Sequence, residues 1–315
     1  MLDSSERYDL DTANLAQILE GLPRSYAGPS KELPAPYGVI GFGEGAWAAE
    51  VARDWIDASI VAGGGTQFVL LGGLDFGEAD AGMLIAEAVG ANLHRMGIGT
   101  KEARATRDEK GLTLKFTNEL ENLEHLIPIS PFSSYSYLQA LSYACGRASS
   151  AQAAEVVLEN LRETCKTDVR SDSNPAKELA WKLWTRTPIL LAGTKFQSQI
   201  WAWQVLLSRL GKSMSIPIEH NSLTIIASGF EARHESGDSL VALLLGGSDD
   251  ALSFMQEVLE SRVDEVIQVP APSNELYAQQ LGLWYFGAWV SYYLALLYGT
   301  DPKDSAALSE LRNNQ

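Results

Sequence analysis

Hydrophobic residues in this 315-residue chain gather in short continuous runs separated by longer stretches of helical spacing. GVIGFG at 38–43 is apolar and ends in glycine, and a helical pattern from Gly45 to Ile56 follows it. The order repeats with QFVLLGG at 67–73, a helical pattern from Ala79 to Met96, and LIPIS at 126–130. A second series opens with PILLAG at 188–193, which leads into a helix carrying Trp201 and Trp203. LTIIASG (223–229), SLVALLLGG (239–247) and EVIQVPAP (265–272) extend that series, with a helix from Asp249 to Ser261 between the last two. Apolar runs of four to eight residues without alternation mark strands buried on both faces. Alternated with helices of ten or more residues, such strands build parallel sheets covered on both sides. Because the series occurs twice, the pattern predicts an α/β protein of two three-layer α/β/α sandwiches.

The segment between them reads as helical. One helix is predicted from Ser149 to Lys166 and another from Ala176 to Thr185, where Ser173-Asn174-Pro175 supplies a cap and a first-turn proline. A long helix rich in aromatic residues and alanine runs from Leu276 to a left-handed stop at Gly299. Asp301-Pro302 then opens a short amphipathic helix whose last turn carries Arg312. The boundaries that follow are an N-terminal helical segment (1–35), a first α/β domain (36–150), a helical connector (151–185), a second α/β domain (186–300) and a C-terminal helix (301–315).

Composition narrows the partners. The chain is 46% hydrophobic and 20% charged, as ordinary globular proteins are. Its formal net charge of −16 opposes nucleic acid and anionic membranes, yet leaves room for a small anion held by backbone N–H groups. Two cysteines, Cys145 and Cys165, imply no disulfide framework and suit a reducing compartment. MLDSSERYDLD lacks the apolar core of a signal peptide. The most apolar stretch, Trp284 to Gly299, is shorter than the roughly 18 to 20 residues a membrane span needs. A cytoplasmic protein is expected, with no membrane and no nucleic-acid partner.

Two motifs carry a resemblance. The run from Leu276 to Arg312, LYAQQLGLWYFGAWVSYYLALLYGTDPKDSAALSELR, resembles the carboxy-terminal end of the bifunctional phosphoglucose/phosphomannose isomerases, and Glu219-His220-Asn221 resembles their histidine box. The resemblance implies two flavodoxin-like sugar-isomerase (SIS) domains with parallel sheets, linked by helices, and a homodimer. It implies a sugar-phosphate substrate and no cofactor. The reaction it implies converts glucose 6-phosphate or mannose 6-phosphate to fructose 6-phosphate through an enediol. Such chemistry needs a phosphate cradle, a carboxylate base, a histidine for ring opening and a cation near the developing enediolate.

By this resemblance His220 takes the ring-opening role, reached across a dimer interface, and Arg312 stands where the family has a lysine. Read from the residues alone, His220 is equally a hydrogen-bonded loop histidine and Arg312 a cation capping its helix. The family's catalytic glutamate has no counterpart: alignment from Trp203 and Lys212 gives Arg209, and counting back from His220 gives Gln204. Glu219 is the substitute base, or else a surface acid that orients His220. In the first half the phosphate turn reads Gly41-Phe42-Gly43-Glu44-Gly45-Ala46, where Gly43 and Gly45 offer backbone donors but Glu44 opposes an anion. Asp75 and Glu78 add charge after the next strand, and Leu138 replaces the family's arginine. Ser133 and Ser134, with Ser136, are hydroxyl candidates for the ligand, or else loop and capping residues. In the second half Gly193-Thr194-Lys195 joins a hydroxyl and an ammonium to a helix start, so Thr194 and Lys195 are anion-binding candidates.

Two other readings stand beside the isomerase. One is a catalytically weakened sugar-phosphate-binding protein on the same fold. The other, a nucleotide-dependent oxidoreductase, rests on a loose G-x-G-x-x-A at Gly41 to Ala46, but no ribose-binding acid falls where Val61 to Thr66 lie. His94, placed on a helix beside Arg95, reads as structural or exposed, and His125 and His234 as solvated. Four scattered histidines give no metal site.

Overall fold

The computed structural model describes residues 2–27, 30, 32–33, 35, 37–41, 45–56, 67–71, 92–98, 103–108, 111–116, 125–127, 132–219, 223–231, 238–247 and 250–303. In chain order the elements of the first half are α1 (Leu15–Gly21), β1 (Tyr37–Gly41), α2 (Gly45–Ile56), β2 (Gln67–Leu71), β3 (Asn92–Ile98), β4 (Ala103–Asp108), β5 (Gly111–Phe116), β6 (His125–Ile127), α3 (Ser133–Ala144) and α4 (Ala148–Cys165). The second half adds α5 (Pro175–Leu183), β7 (Thr187–Ala192), α6 (Gln197–Arg209), β8 (Ile216–Pro217), α7 (Leu223–Gly229), β9 (Leu240–Leu245), α8 (Asp250–Glu260), β10 (Glu265–Val269) and α9 (Leu276–Leu297). The chain divides into two compact units. One is Ser25–Ala153; the other joins Met1–Arg24 to Ala154–Gln315.

In the unit from Ser25 to Ala153, β1, β2, β3 and β6 form a parallel sheet in that order. Helix α2 turns Trp47, Ala48, Ala49, Val51 and Ala52 inward, each at most 2% exposed, and packs on β1 and α3. The turn into α2 is so tight that a Cβ on Gly41 would lie 2.1 Å from the Gly45 carbonyl oxygen. Glycine at 41 is therefore a packing requirement.

Two features here depart from the sequence reading. Residues 92–96, expected to end a helix, belong to β3, which bonds to β2 along one edge and to β6 along the other. Pairing on both edges satisfies the backbone in a way that overrides the helical spacing. His94 accordingly sits in a strand, opposite Val69, and 79–91 lie outside the described residues. The antiparallel β4–β5 hairpin, running from the Ala103↔Phe116 pair to Asp108↔Gly111, had no counterpart in the sequence reading.

The second unit holds a parallel sheet in the order β10-β9-β7-β8. Read from the other edge in chain sequence this is 2-1-3-4, the flavodoxin-like order. Strand alternation splits its side chains. Ile189, Leu191, Ala242 and Leu244 face a core completed by Ile226 of α7 and by Leu252 and Leu259 of α8. The alternate positions Leu190, Val241, Leu243 and Leu245 are equally buried on the other face, where α6 packs on β7 and α9 packs on α5 and α6. Three layers result, as the continuous apolar runs predicted.

LTIIASG is the exception. It forms α7, not a strand, because the places beside β7 are filled by β8 and β9. Helical spacing sends Ile226 (1% exposed) into the core and leaves Ile225 at 56%, an asymmetry a doubly covered strand would not tolerate.

Helix α5 begins as its sequence predicts. The Asn174 side-chain oxygen accepts from the N–H groups of Ala176 (3.1 Å) and Lys177 (3.0 Å), with Pro175 in the first turn. Helix α9 is buried along nearly its whole length, and Gly299 beyond it has φ +73°. Two of its tyrosines hydrogen-bond to backbone carbonyls. Tyr285 donates to the Leu19 carbonyl at 2.7 Å, which fastens α1 to α9, and Tyr293 donates to the Cys165 carbonyl. No helix among the described residues is long and apolar enough to cross a membrane.

Candidate functional site at the carboxyl ends of β7, β8 and β9

In the second sheet the chain leaves β7 toward β8 on one side and returns to β9 on the other. Connections that part in this way open a crevice beyond the carboxyl ends of the two strands. Three residues line up there by register. One step past the Ala192↔Leu245 pair, Gly193 stands level with Gly246. Two steps past Leu190↔Pro217, Glu219 stands level with Ala192, a register held by the 2.9 Å bond from the Ile218 N–H to the Leu190 carbonyl. Neighbouring strands lie about 4.8 Å apart, so Glu219, the Gly193 turn and the Gly246 bend occupy a row roughly 10 Å long.

The middle of the row is a single 3₁₀ turn, Thr194–Phe196, between Gly193 and α6. Thr194 and Lys195 are exposed, whereas Phe196 is 8% exposed and anchors the turn. Its ring explains the glycine pair after β9. Gly246 has φ +91°, and a Cβ there would meet the Phe196 ring at 2.3 Å. Gly247 has φ +104° with nothing within 4 Å, so its backbone borders open space. The Gly246 N–H donates to the Val269 carbonyl at 2.9 Å, fixing the bend to the end of β10.

Glutamine amides hold the turn from below. Gln197 donates from Nε2 to the Ala192 carbonyl and, at 3.5 Å, to that of Gly193. Gln280 of α9, fully buried, donates to the Lys195 carbonyl. Gln199 donates to the Gln280 side-chain oxygen at 2.6 Å and to its carbonyl at 3.0 Å, and Ser198 donates to the same side-chain oxygen at 3.3 Å. Helices α6 and α9 bring these amides together because Gly287 lets them close. A Cβ on Gly287 would stand 2.8 Å from the Trp203 ring.

The structure thus gathers three sequence candidates, Thr194, Lys195 and Glu219, along one sheet end. Glu219 is exposed. His220, the next residue, lies outside the described residues, as do Arg312 and Gly43. Gly45 is the buried first residue of α2 in the other unit. Ser133 and Ser134 are the first two residues of α3 rather than loop residues, and Ser134 is half-buried. Sequence reasoning missed Gln197, Gln199 and Gln280. The glycine pair at 246–247, at the end of an apolar strand, was the signal for the third end of the row. Among the described residues no group of three His, Cys, Asp or Glu side chains could hold a metal ion.

The family models and the likeness along the whole chain define a phosphoglucose isomerase-type protein whose carboxy-terminal half is a SIS domain. The model of the phosphoglucose isomerase N-terminal domain matches residues 15–146, and that of the bacterial phospho-glucose isomerase C-terminal SIS domain matches 172–314. A glucose-6-phosphate isomerase like protein from Thermus thermophilus is similar along the whole length, with TM-score 0.79 and 33% identity, covering 100% of this chain and 99% of that one. The chain belongs to the phosphoglucose isomerase family. A bifunctional phosphoglucose/phosphomannose isomerase from Caldicellulosiruptor bescii is 27% identical over 169 residues, which cover 50% of this chain and only 49% of that relative. A structure from Clostridium difficile 630 shares the fold alone, with TM-score 0.59 and 11% identity over 98% of this chain and 96% of that one.

Proposed function

We propose that this protein is a sugar-phosphate isomerase that interconverts glucose 6-phosphate or mannose 6-phosphate with fructose 6-phosphate. The observation that carries the reading is the parting of the β7 connections toward β8 and β9, with a hydroxyl, an ammonium and a carboxylate beyond adjacent strand ends, in a chain matched by the family over both halves. In this reading the phosphate rests on the Thr194-Lys195 turn. His220 takes the proton of the anomeric hydroxyl and returns one to the ring oxygen, opening the sugar. Glu219 removes the proton from C2, the electrons pass to the C1 carbonyl oxygen to give the enediolate, a proton passes from the C2 hydroxyl to that oxygen, and Glu219 returns its proton at C1 as the C2 carbonyl forms. Arg312 stabilises the enediolate oxygen as a fixed cation. We read the protein as a cytoplasmic homodimer whose domains span 36–150 and 186–300.

A coupled assay that follows glucose 6-phosphate formed from fructose 6-phosphate tests the reaction. His220→Ala is expected to lower kcat by about 10²- to 10⁴-fold, the usual worth of a positioned acid–base group. Activity unchanged in that variant removes the histidine from the mechanism. A second reading, a weakened sugar-phosphate-binding protein, is favoured by Gln204 and Arg209 at the positions where the family has its glutamate. It requires that fructose 6-phosphate bind without turnover even at high protein concentration.

A further inference from the structure

We propose that Gln280 is a positioning residue for the phosphate end of the substrate, acting through the backbone of the Thr194–Phe196 turn; the inference rests on the reading that this turn receives the phosphate. Besides the buried Phe196 ring, the turn is held through its backbone. It is one 3₁₀ turn of three residues, Gly193 gives it no side-chain cap, and two of its three side chains are exposed. Its shape is set by three carbonyls. Gln197 holds those of Ala192 and Gly193, and Gln280 holds that of Lys195. A trans-planar peptide points its N–H opposite its C=O, so drawing the Gly193 carbonyl toward Gln197 turns the Thr194 N–H to the other face of the turn. The Phe196 N–H is already engaged with the Gly193 carbonyl at 2.8 Å, which locks the turn between the two glutamines.

Gln280 is suited to this work because it has no freedom. It is 0% exposed, its amide oxygen accepts from Gln199 at 2.6 Å and from Ser198 at 3.3 Å, and those bonds fix which end of the amide faces Lys195. Gln199 is in turn held by its 3.0 Å bond to the Gln280 carbonyl. Two buried amides on facing helices, each orienting the other, form a strut from α9 to a turn whose Thr194 and Lys195 are exposed. A buried amide pair is a costly way to fill a helix interface that leucine or methionine could fill. The Lys195 carbonyl is what the pair reaches.

The test is calorimetric binding of inorganic phosphate, with KM and kcat for fructose 6-phosphate alongside. Gln280→Met removes the donor to Lys195, and phosphate is expected to bind about tenfold more weakly, with KM raised by the same factor and kcat within about threefold. Gln280→Met alone also strands Gln199, so the paired variant Gln199→Met/Gln280→Met serves as the control. Replacing both buried partners by apolar groups of similar shape is nearly neutral for stability. The paired variant, in which only the Ser198 hydroxyl still lacks its acceptor, is therefore expected to recover most of the urea resistance that Gln280→Met loses while phosphate binding stays weak, which a merely structural role does not produce. Phosphate binding within twofold of wild type in the paired variant overturns the inference and leaves the proposed reaction standing. Wild-type protein that binds no phosphate overturns both. Wild-type protein that binds phosphate without turnover, with the expected loss in the variants, upholds the inference and overturns the reaction.

Discussion

Gly246→Ala is expected to cost about 2 to 5 kcal/mol, and the neighbouring glycine shows why. Two terms contribute. The backbone at 246 has φ +91°, a conformation that costs an L side chain about 1 to 2 kcal/mol. The new Cβ would also stand 2.3 Å from Cγ and Cδ2 of Phe196 and 2.8 Å from Cδ1, well inside the 3.0 Å that real contacts respect. The ring is 8% exposed, so it has nowhere to retreat, and overpacking of this kind costs about 1 to 3 kcal/mol. Gly247, with φ +104° and nothing within 4 Å, carries the backbone term alone. Urea unfolding of Gly246→Ala and Gly247→Ala, with equal m-values, separates the two terms. Gly247→Ala should lose about 1 to 2 kcal/mol and Gly246→Ala about 1 to 3 kcal/mol more. Equal losses refute the argument, because they would mean that Phe196 yields freely and does not anchor the Lys195 turn.

Much of the second unit was legible because its elements obey local rules. The runs at 188–193, 239–247 and 265–272 are strands, the Asn174-Pro175 start is a cap that accepts two backbone N–H bonds, and Gly299 stops its helix in the left-handed region. LTIIASG failed for a reason local rules do not contain. Its composition suits a strand, but β8 and β9 flank β7, and one buried isoleucine satisfies the core from a helix. The boundary at β3 failed likewise, since pairing with β2 and β6 decided it.

The site was half visible. Glycine, threonine and lysine after an apolar strand announce a turn able to meet an anion, and an acid next to a histidine announces acid–base chemistry. Which strand ends stand side by side is a matter of sheet order, and only the topology supplied it. The glutamines were invisible for a further reason. A glutamine on a helix ordinarily faces water. Gln199 and Gln280 are buried because Gly287 admits Trp203 and draws α6 against α9, and Gln280 lies 85 residues along the sequence from the Lys195 carbonyl it holds.

Three further expectations follow from the same geometry. Asn174→Ala should lose about 0.5 to 2 kcal/mol in urea unfolding, because it removes the acceptor for two α5 N–H groups, and a loss below that range would show that solvent caps the helix as well. Burial pushes the Cys145 thiol up to about 12 and the Cys165 thiol to about 11, so neither should react with a thiol reagent at pH 8 until urea unfolds the protein. The last concerns acid stability and Glu265, at the start of β10. Partial burial raises its pKa, but hydrogen bonds from Lys182 (3.2 Å) and Arg186 (2.8 Å) outweigh that and hold the carboxyl below its ordinary value of 4.5. A folded value below the unfolded one means that the stabilisation is complete above about pH 4.5 and is lost as pH falls through the folded value. The site is one-third exposed, so the pair is worth about 0.2 to 1 kcal/mol, and Lys182 keeps Glu178 as a second partner at 3.8 Å. Glu265→Gln should therefore be less stable than wild type by that amount at pH 7, with the gap closing as pH falls through the folded value. A gap that stays constant with pH would assign the effect to packing at β10, and one that widens in acid would reverse the sign of the argument.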